Sequence, residues 1–267
     1  MFKVALTHDV DRVKKSYQYF SYFLRNVLNK NYKQALYHIT SFFYAEPYWN
    51  FDKIIKIEES YKVKSTFFFM NEEIKFQLFN PKNWKLSLGR YRIHDEKVVD
   101  KIKYLDRNGW EIGLHGSYNS YKNKYLLKTE KKLLESIVGH EIIGIRQHYL
   151  NLEESTWKNQ KEAGFNYDTS LGYRNDIGYK DEKFLPFHPL GDDYTVFPLV
   201  IMDSCFMDTD ERNKKLSYLL DITEKNNSIL VINWHQRSFN ENEFPGYKKA
   251  YCDILKNVLN EMQFFEH

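Results

Sequence analysis

Short apolar runs and longer amphipathic runs alternate along this chain from one end to the other. Residues 3–7, 65–70, 110–114, 142–145, 165–168, 196–202 and 229–233 are mostly apolar, β-branched or aromatic and read as buried strands. Between them, apolar positions recur at helical spacing over 51–61, 95–108, 128–138, 153–163, 213–225 and 247–262. In the first of these, Ile54, Ile55 and Ile57 form the face expected to be buried, and Gly109 and Gly164 close two of the others. Alternation of this kind predicts a parallel sheet built from strand–helix units. About seven strands in 267 residues fit one α/β domain, a distorted (β/α) barrel.

One segment breaks the rhythm. Residues 17–43 are rich in Tyr, Phe and Leu at helical spacing and are far longer than an ordinary loop after a strand. They predict a helical insertion at about 14–48, whose face of Tyr19, Phe20, Phe23, Leu24, Val27 and Leu28 could pack on the barrel, line a cleft or meet another subunit, with packing on the barrel placed first. No repeat, low-complexity tract or Pro/Gly-rich linker divides the rest, so the single domain is expected to span 1–267.

Charge narrows the partners. With 39 basic and 36 acidic residues the net charge is only +3, and the lysines mix with acids, as on solvated helix faces. Nucleic acid is therefore not an expected partner. Cys205 and Cys252 have no neighbouring Cys or His at zinc-ligand spacing, and two cysteines make no disulfide framework. No apolar segment of leader length precedes the first polar motif, and no window holds about 18 uninterrupted apolar residues. A cytoplasmic protein with no membrane span is the expectation. Aromatics reach 17%, which suits stacking on sugar faces and equally suits a core of large residues.

The chemistry collects where strands end. In a parallel barrel the C-terminal strand ends converge on one mouth, so residues distant in sequence meet there. Asp9 and Asp11 follow the first strand, His115 the third, Arg146 and His148 the fourth, Asp168 the fifth and His235 the last. Carboxylates and imidazoles gathered at one mouth suit a divalent metal, which makes hydroxide near neutral pH and polarises a carbonyl. Asp203 also follows a strand and could face the mouth, but Asp203-Ser204 reads as a plain strand-end cap as well, and His94, His140 and His188 are expected in loops without partners.

Five segments, in order, resemble the motifs of the polysaccharide deacetylase superfamily (carbohydrate esterase family four-like). Thr7-His8-Asp9-Val10-Asp11 resembles the first motif, and His115-Gly116-Ser117-Tyr118-Asn119 the second, with Asn in place of its second His. Arg146-Gln147-His148-Tyr149, Gly164 to Leu171 with Asp168, and Ile232-Asn233-Trp234-His235 resemble the remaining three. The resemblance spans residues 4 to 236 and implies a divergent deacetylase that hydrolyses the N-acetyl group of an amino sugar in a polysaccharide or glycan precursor. It implies Asp9 as general base, Arg146 as its anchor, the Tyr149 amide at the oxyanion, Asp168 as a support and His235 as general acid. The metal, zinc first with cobalt, nickel or manganese also compatible, would rest on Asp11 and His115. The third ligand is then Asn119, His148 or, within the first motif, His8, with His148 placed ahead of Asn119 because an amide oxygen is the poorer zinc ligand. Trp234, Tyr118 and Tyr121 would line a sugar subsite or simply pack. An O-acetyl esterase, an allantoinase-like amidohydrolase and a metal-free glycan-binding pseudoenzyme are the rival readings on the same fold.

Overall fold

A computed structural model describes residues 2–43, 46–191 and 193–263. Residues 44 and 45, inside the stretch assigned to the insertion, lie outside the described residues, as do 1, 192 and 264–267.

Eight strands form one sheet: β1 Lys3–Val10, β2 Thr66–Met70, β3 Glu111–Gly116, β4 Gly144–Gln147, β5 Tyr167–Asp168, β6 Thr195–Val196, β7 Leu199–Met202 and β8 Ile229–Asn233. Their order is β6-β5-β4-β3-β2-β1-β8-β7, and every pairing between them is parallel. All the strands therefore release their chain at the same end.

The difference from seven strands has one cause. Residues 196–202 read as a single strand, but Phe197-Pro198 divides them into β6 and β7, which occupy opposite edges of the sheet. Proline has no N–H to give a ladder, so a strand stops there. Three residues of chain span at most roughly 10 Å. Val196 and Leu199 are three residues apart, so the two edges of the sheet must lie close together and the sheet curls into a barrel.

Side chains alternate across each strand, and the two faces have different jobs. Leu6, Val10, Phe67, Phe69, Ile112, Leu114, Ile145, Leu230 and Ile232 face outward into the main core under the helices. The inward set includes a small apolar cluster around Leu150, Leu199 and Val231. It also includes the polar side chains of Thr7, Asp9, Arg146 and Asn233, joined by hydrogen bonds within the barrel. Gly113 is on this face: a Cβ there would come within 2.4 Å of the Phe68 ring.

The outer layer consists of α3 Phe51–Ser60, α5 Glu96–Arg107, α6 Lys124–Val138, α7 Thr156–Glu162, α9 Arg212–Lys225 and α10 Tyr247–Gln263. On α3, Ile54 and Ile55 are buried as expected, whereas Ile57 is half-buried and Glu58 is wholly buried. Glu58 accepts from His8 Nε2 (2.9 Å), Ser65 Oγ (3.0 Å), Trp110 Nε1 (2.6 Å) and Tyr251 OH (2.8 Å), tying α3 to β1, to α10 and to the residues just before β2 and β3. Two short helices, α4 Pro81–Ser87 and α8 Asp203–Asp208, had no counterpart in the pattern reading.

The stretch read as an insertion contains α1 Gln18–Leu28 and α2 Tyr32–Thr40, which pack on each other as a hairpin. Tyr19 and Phe23 are half-buried, while Phe20, Leu24, Val27 and Leu28 face solvent, so the expected packing of that face on the barrel is corrected.

Candidate active site

The strand period decides what β1 delivers. Thr7, Asp9 and Asp11 are two apart and point into the barrel mouth, whereas His8 between them points outward. His8 is fully buried beneath the helices, with Nδ1 2.6 Å from the Trp234 carbonyl and Nε2 2.9 Å from Glu58, and contributes nothing to the mouth.

Asp11 Oδ1 lies 3.3 Å from His115 Nε2 and 3.5 Å from His148 Nε2. The three potential ligand atoms fall within 4.8 Å of one another. Asp11 Oδ1 is buried and makes no hydrogen bond, which is costly for a carboxylate oxygen unless something else satisfies it. The donor set is one carboxylate and two imidazoles, a set suited to a divalent transition metal with coordination positions left open. His115 Nδ1 is bonded to the Arg146 carbonyl at 2.9 Å, which leaves Nε2 free to face Asp11. On His148 burial is the main influence, and with Arg90, His115 and Arg12 it keeps the ring well below its ordinary pKa and so neutral, the form that binds metal. Asn119 is exposed and does not line the cavity, whereas His148 does.

Asp9 is anchored rather than ligated. Arg146 Nη1 donates to Asp9 Oδ1 at 2.9 Å, and Asn233 Nδ2 donates to Oδ2 at 2.8 Å. Burial alone would raise this carboxyl, but Arg146, His115 and His235 bring it below its ordinary value, so it is ionised. Arg146 is itself fully buried and donates to Thr7 Oγ1 and to the carbonyl and hydroxyl of Thr169, with its guanidinium over the Phe68 ring.

His235 approaches Asp11 from the other side, with Nε2 3.7 Å from Oδ2. Its Nδ1 is 2.9 Å from Asp203 Oδ1, and Asp203 Oδ2 accepts from the His235 amide and from Ser238 Oγ. Burial disfavours the charged ring, but Asp203 first, then Asp11 and Asp9, outweigh it and push His235 up to about 9. Asp203 is thus more than the strand-end cap it resembled, although it does also accept from the Ser204 amide at 2.7 Å.

The remaining expectations are placed as follows. Tyr149 lines the cavity in a left-handed backbone conformation (φ 59°). Asp168 is buried and outside the cavity, where it accepts from Ser170 and Gln160. Ser170 Oγ in turn accepts from the Gln147 amide, so Asp168 supports the strand that carries Arg146 and leads to His148. Trp234 is a core residue against Tyr251, and Tyr118 stacks edge-on against Tyr149 at the rim. Sequence reasoning missed Asn233, Glu72 and Arg237. Glu72 Oε2 accepts from the Tyr118 amide at 2.8 Å and lies 4.0 Å from His148 Nδ1. Arg237 Nη2 is 3.8 Å from Asp11 Oδ2. Each follows or ends a strand, so the strand-exit rule that found the other residues also points to them.

These residues floor a cavity of about 670 Å³ whose walls include Arg12, Arg25, Lys85, Arg174 and Arg237. No family model matches the chain, and no curated protein matches it. Among solved structures, a candidate polysaccharide deacetylase from Mycobacterium smegmatis aligns over 96% of this chain and 83% of its own, with 17% identity and a TM-score of 0.59. The chain has the polysaccharide deacetylase fold. A 4-alpha-glucanotransferase from Thermococcus litoralis also aligns, over 95% of this chain and 38% of its own, at 14% identity and a TM-score of 0.52. The polysaccharide deacetylase fold alone therefore does not choose a reaction, and the polar floor of the barrel must.

Proposed function

We propose that this protein is a metal-dependent hydrolase that removes the N-acetyl group from an amino sugar of a glycan or glycan precursor. The observation that carries the reading is the buried, unbonded Asp11 Oδ1 facing His115 and His148, with an anchored carboxylate on one side and a charged imidazole on the other. Asp11, His115 and His148 would hold a divalent cation, zinc or a similar ion, which when bound supplies Lewis acidity and a water of lowered pKa.

The chain's own residues do the rest. Asp9, ionised and aimed by Arg146 and Asn233, takes the proton of the attacking water. His235, kept protonated by Asp203, gives its proton to the leaving nitrogen, which departs poorly as an unprotonated amide. Tyr149, at the exit of β4, offers its backbone amide to the carbonyl oxygen as charge develops there. An ionised base and a protonated acid on two sides of one cation site suit amide cleavage, whereas a glycan-binding protein has no use for the pair.

The test is acetate release from N-acetylated hexosamine oligomers by zinc- or cobalt-loaded protein, against O-acetylated sugars as comparator. Release from the N-acetyl substrates, lost by about 10²-fold or more in His235→Ala, is expected. No release from either class would remove the hydrolase reading, and release only from O-acetyl sugars would make the protein an esterase.

A further inference from the structure

The rim hairpin carries its polarity the wrong way round for a helix packed on a barrel. On α1 the buried side chains are Gln18 and Asn26, whereas Phe20, Leu24 and Leu28, spaced four apart along one stripe, are 63%, 43% and 81% exposed. α2 repeats the pattern with exposed Tyr32, Leu36 and Ile39, and Phe42 and Phe43 just beyond it are exposed as well. A concentration of large apolar side chains on this scale marks a contact surface.

Its charge indicates what the contact is with. From Arg12 to residue 45 the sequence has six basic residues and not one Asp or Glu; of the six, Arg12 is buried, Lys15 is buried against Glu243 and Lys14 stands 3.8 Å from Asp95. Lys30 and Lys33 lie in the hairpin, both exposed. Apolar side chains interspersed with cations and free of acids complement an anionic bilayer surface in both hydropathy and charge. A second copy of the same face would not, because pairing it with itself sets cations against cations with no carboxylate to relieve them.

Its position gives the contact a purpose. The other side of α1 presents Tyr17, Ser21, Tyr22 and Arg25 to the cavity above Asp11. A second exposed apolar group, Phe76, Leu78, Phe79 and Trp84, belongs to the segment after β2. That segment is tied to the base of the hairpin by Arg12, whose Nη2 donates to the Lys85 carbonyl at 2.6 Å. Both groups follow the exits of neighbouring parallel strands, so both stand at the mouth end of the barrel.

We infer that the hairpin Gln18–Thr40 is an interfacial anchor that seats the mouth on an anionic lipid surface. On the deacetylase reading above, on which this part rests, the amino sugar reaching the site is one displayed at that surface.

Co-sedimentation of the full chain with vesicles tests the anchor without any turnover. The protein is expected to pellet with phosphatidylcholine–phosphatidylglycerol vesicles, to do so less as salt rises, and to stay in solution with phosphatidylcholine alone. Lys30→Glu with Lys33→Glu, both at the surface, is expected to weaken vesicle binding by about tenfold or more. Phe20→Ser with Leu24→Ser and Leu28→Ser is expected to abolish it. His235→Ala is expected to bind vesicles like the wild type. Wild type left in the supernatant, or unchanged binding by the Lys30/Lys33 variant, overturns the anchor. So does a dimer in sedimentation velocity that the serine variant dissolves while no vesicle binding is seen. Vesicle binding without acetate release would leave the anchor standing and remove only the hydrolase reading.

Discussion

Asp11 sets the terms of the site at the scale of single residues. Its Oδ1 has no donor although two imidazole nitrogens stand within 3.5 Å, and its Oδ2 faces His235 and Arg237. Asp9, only two residues away and on the same strand face, has both oxygens occupied by Arg146 and Asn233. Two neighbouring aspartates thus have different surroundings, which is what the proposed division into base and metal ligand rests on. Asp203 acts through His235, so Asp203→Asn is expected to lower kcat by about 10²-fold, the scale of a lost acid or base, with KM and metal content nearly unchanged. A fall in metal content instead would show that Asp203 only supports the fold. Asp9, Asp11, His115, Arg146 and His235 were legible in the sequence because each stands at a strand exit. Asp203 was set aside because an Asp that begins a helix looks like a cap whatever else it touches, and Glu72, two residues past the exit of β2, was passed over although the same strand-exit rule points to it.

Among the elements, the strand period explains most of what the sequence revealed and the helix period most of what it hid. The first strand was read only over 3–7, so His8 stayed a candidate ligand; β1 runs on to Val10, and its alternation turns His8 outward to Glu58 and Asp9 inward to Arg146. Gly113 matters at the same level, since β2 and β3 approach so closely that Phe68 fills the space a side chain would need. Gly113→Ala is expected to cost ~1–3 kcal/mol from overpacking. Because Phe68 supports the Arg146 guanidinium from below, the same variant is expected to lose activity beyond its loss of fold, measured as kcat on protein verified as folded. Full activity at reduced stability would show that Phe68 does not position Arg146. The apolar stripe of α1 follows helical spacing faithfully, but spacing identifies a face and not what lies against it. That is why a hairpin exposed at the rim read as a helix packed on the barrel.

For the whole molecule, two buried glutamates show how the barrel is held to its helices. Glu58 collects four donors, two from β1 and α10 and two from the residues just before β2 and β3, so Glu58→Ala is expected to cost ~3–5 kcal/mol, as removing one member of a buried charged network does. Glu130 is the opposite case. Its Oε1 has no partner, and burial above all, with the Glu72 carboxylate nearby, pushes it from an ordinary 4.5 up to about 8. Between those values the folded protein keeps a proton that the unfolded chain releases, so this group makes stability fall as pH rises through the window. Glu130→Gln is expected to flatten that fall in thermal unfolding measured from mildly acidic to mildly alkaline pH; an unchanged slope would show that Glu130 is ionised in the fold. Closure of the barrel was only partly legible, because a proline within an apolar run was needed to show that one strand was two.

The metal content of purified protein tests the account most directly. Elemental analysis after zinc loading and desalting is expected to find one ion per chain in the wild type and in Asn119→Ala, and to find it lost in His148→Ala and in His115→Ala, with all four proteins folded. Zinc retained by folded His148→Ala, or absent from the wild type, would contradict the assignment of Asp11, His115 and His148 as the metal site and the chemistry built on it.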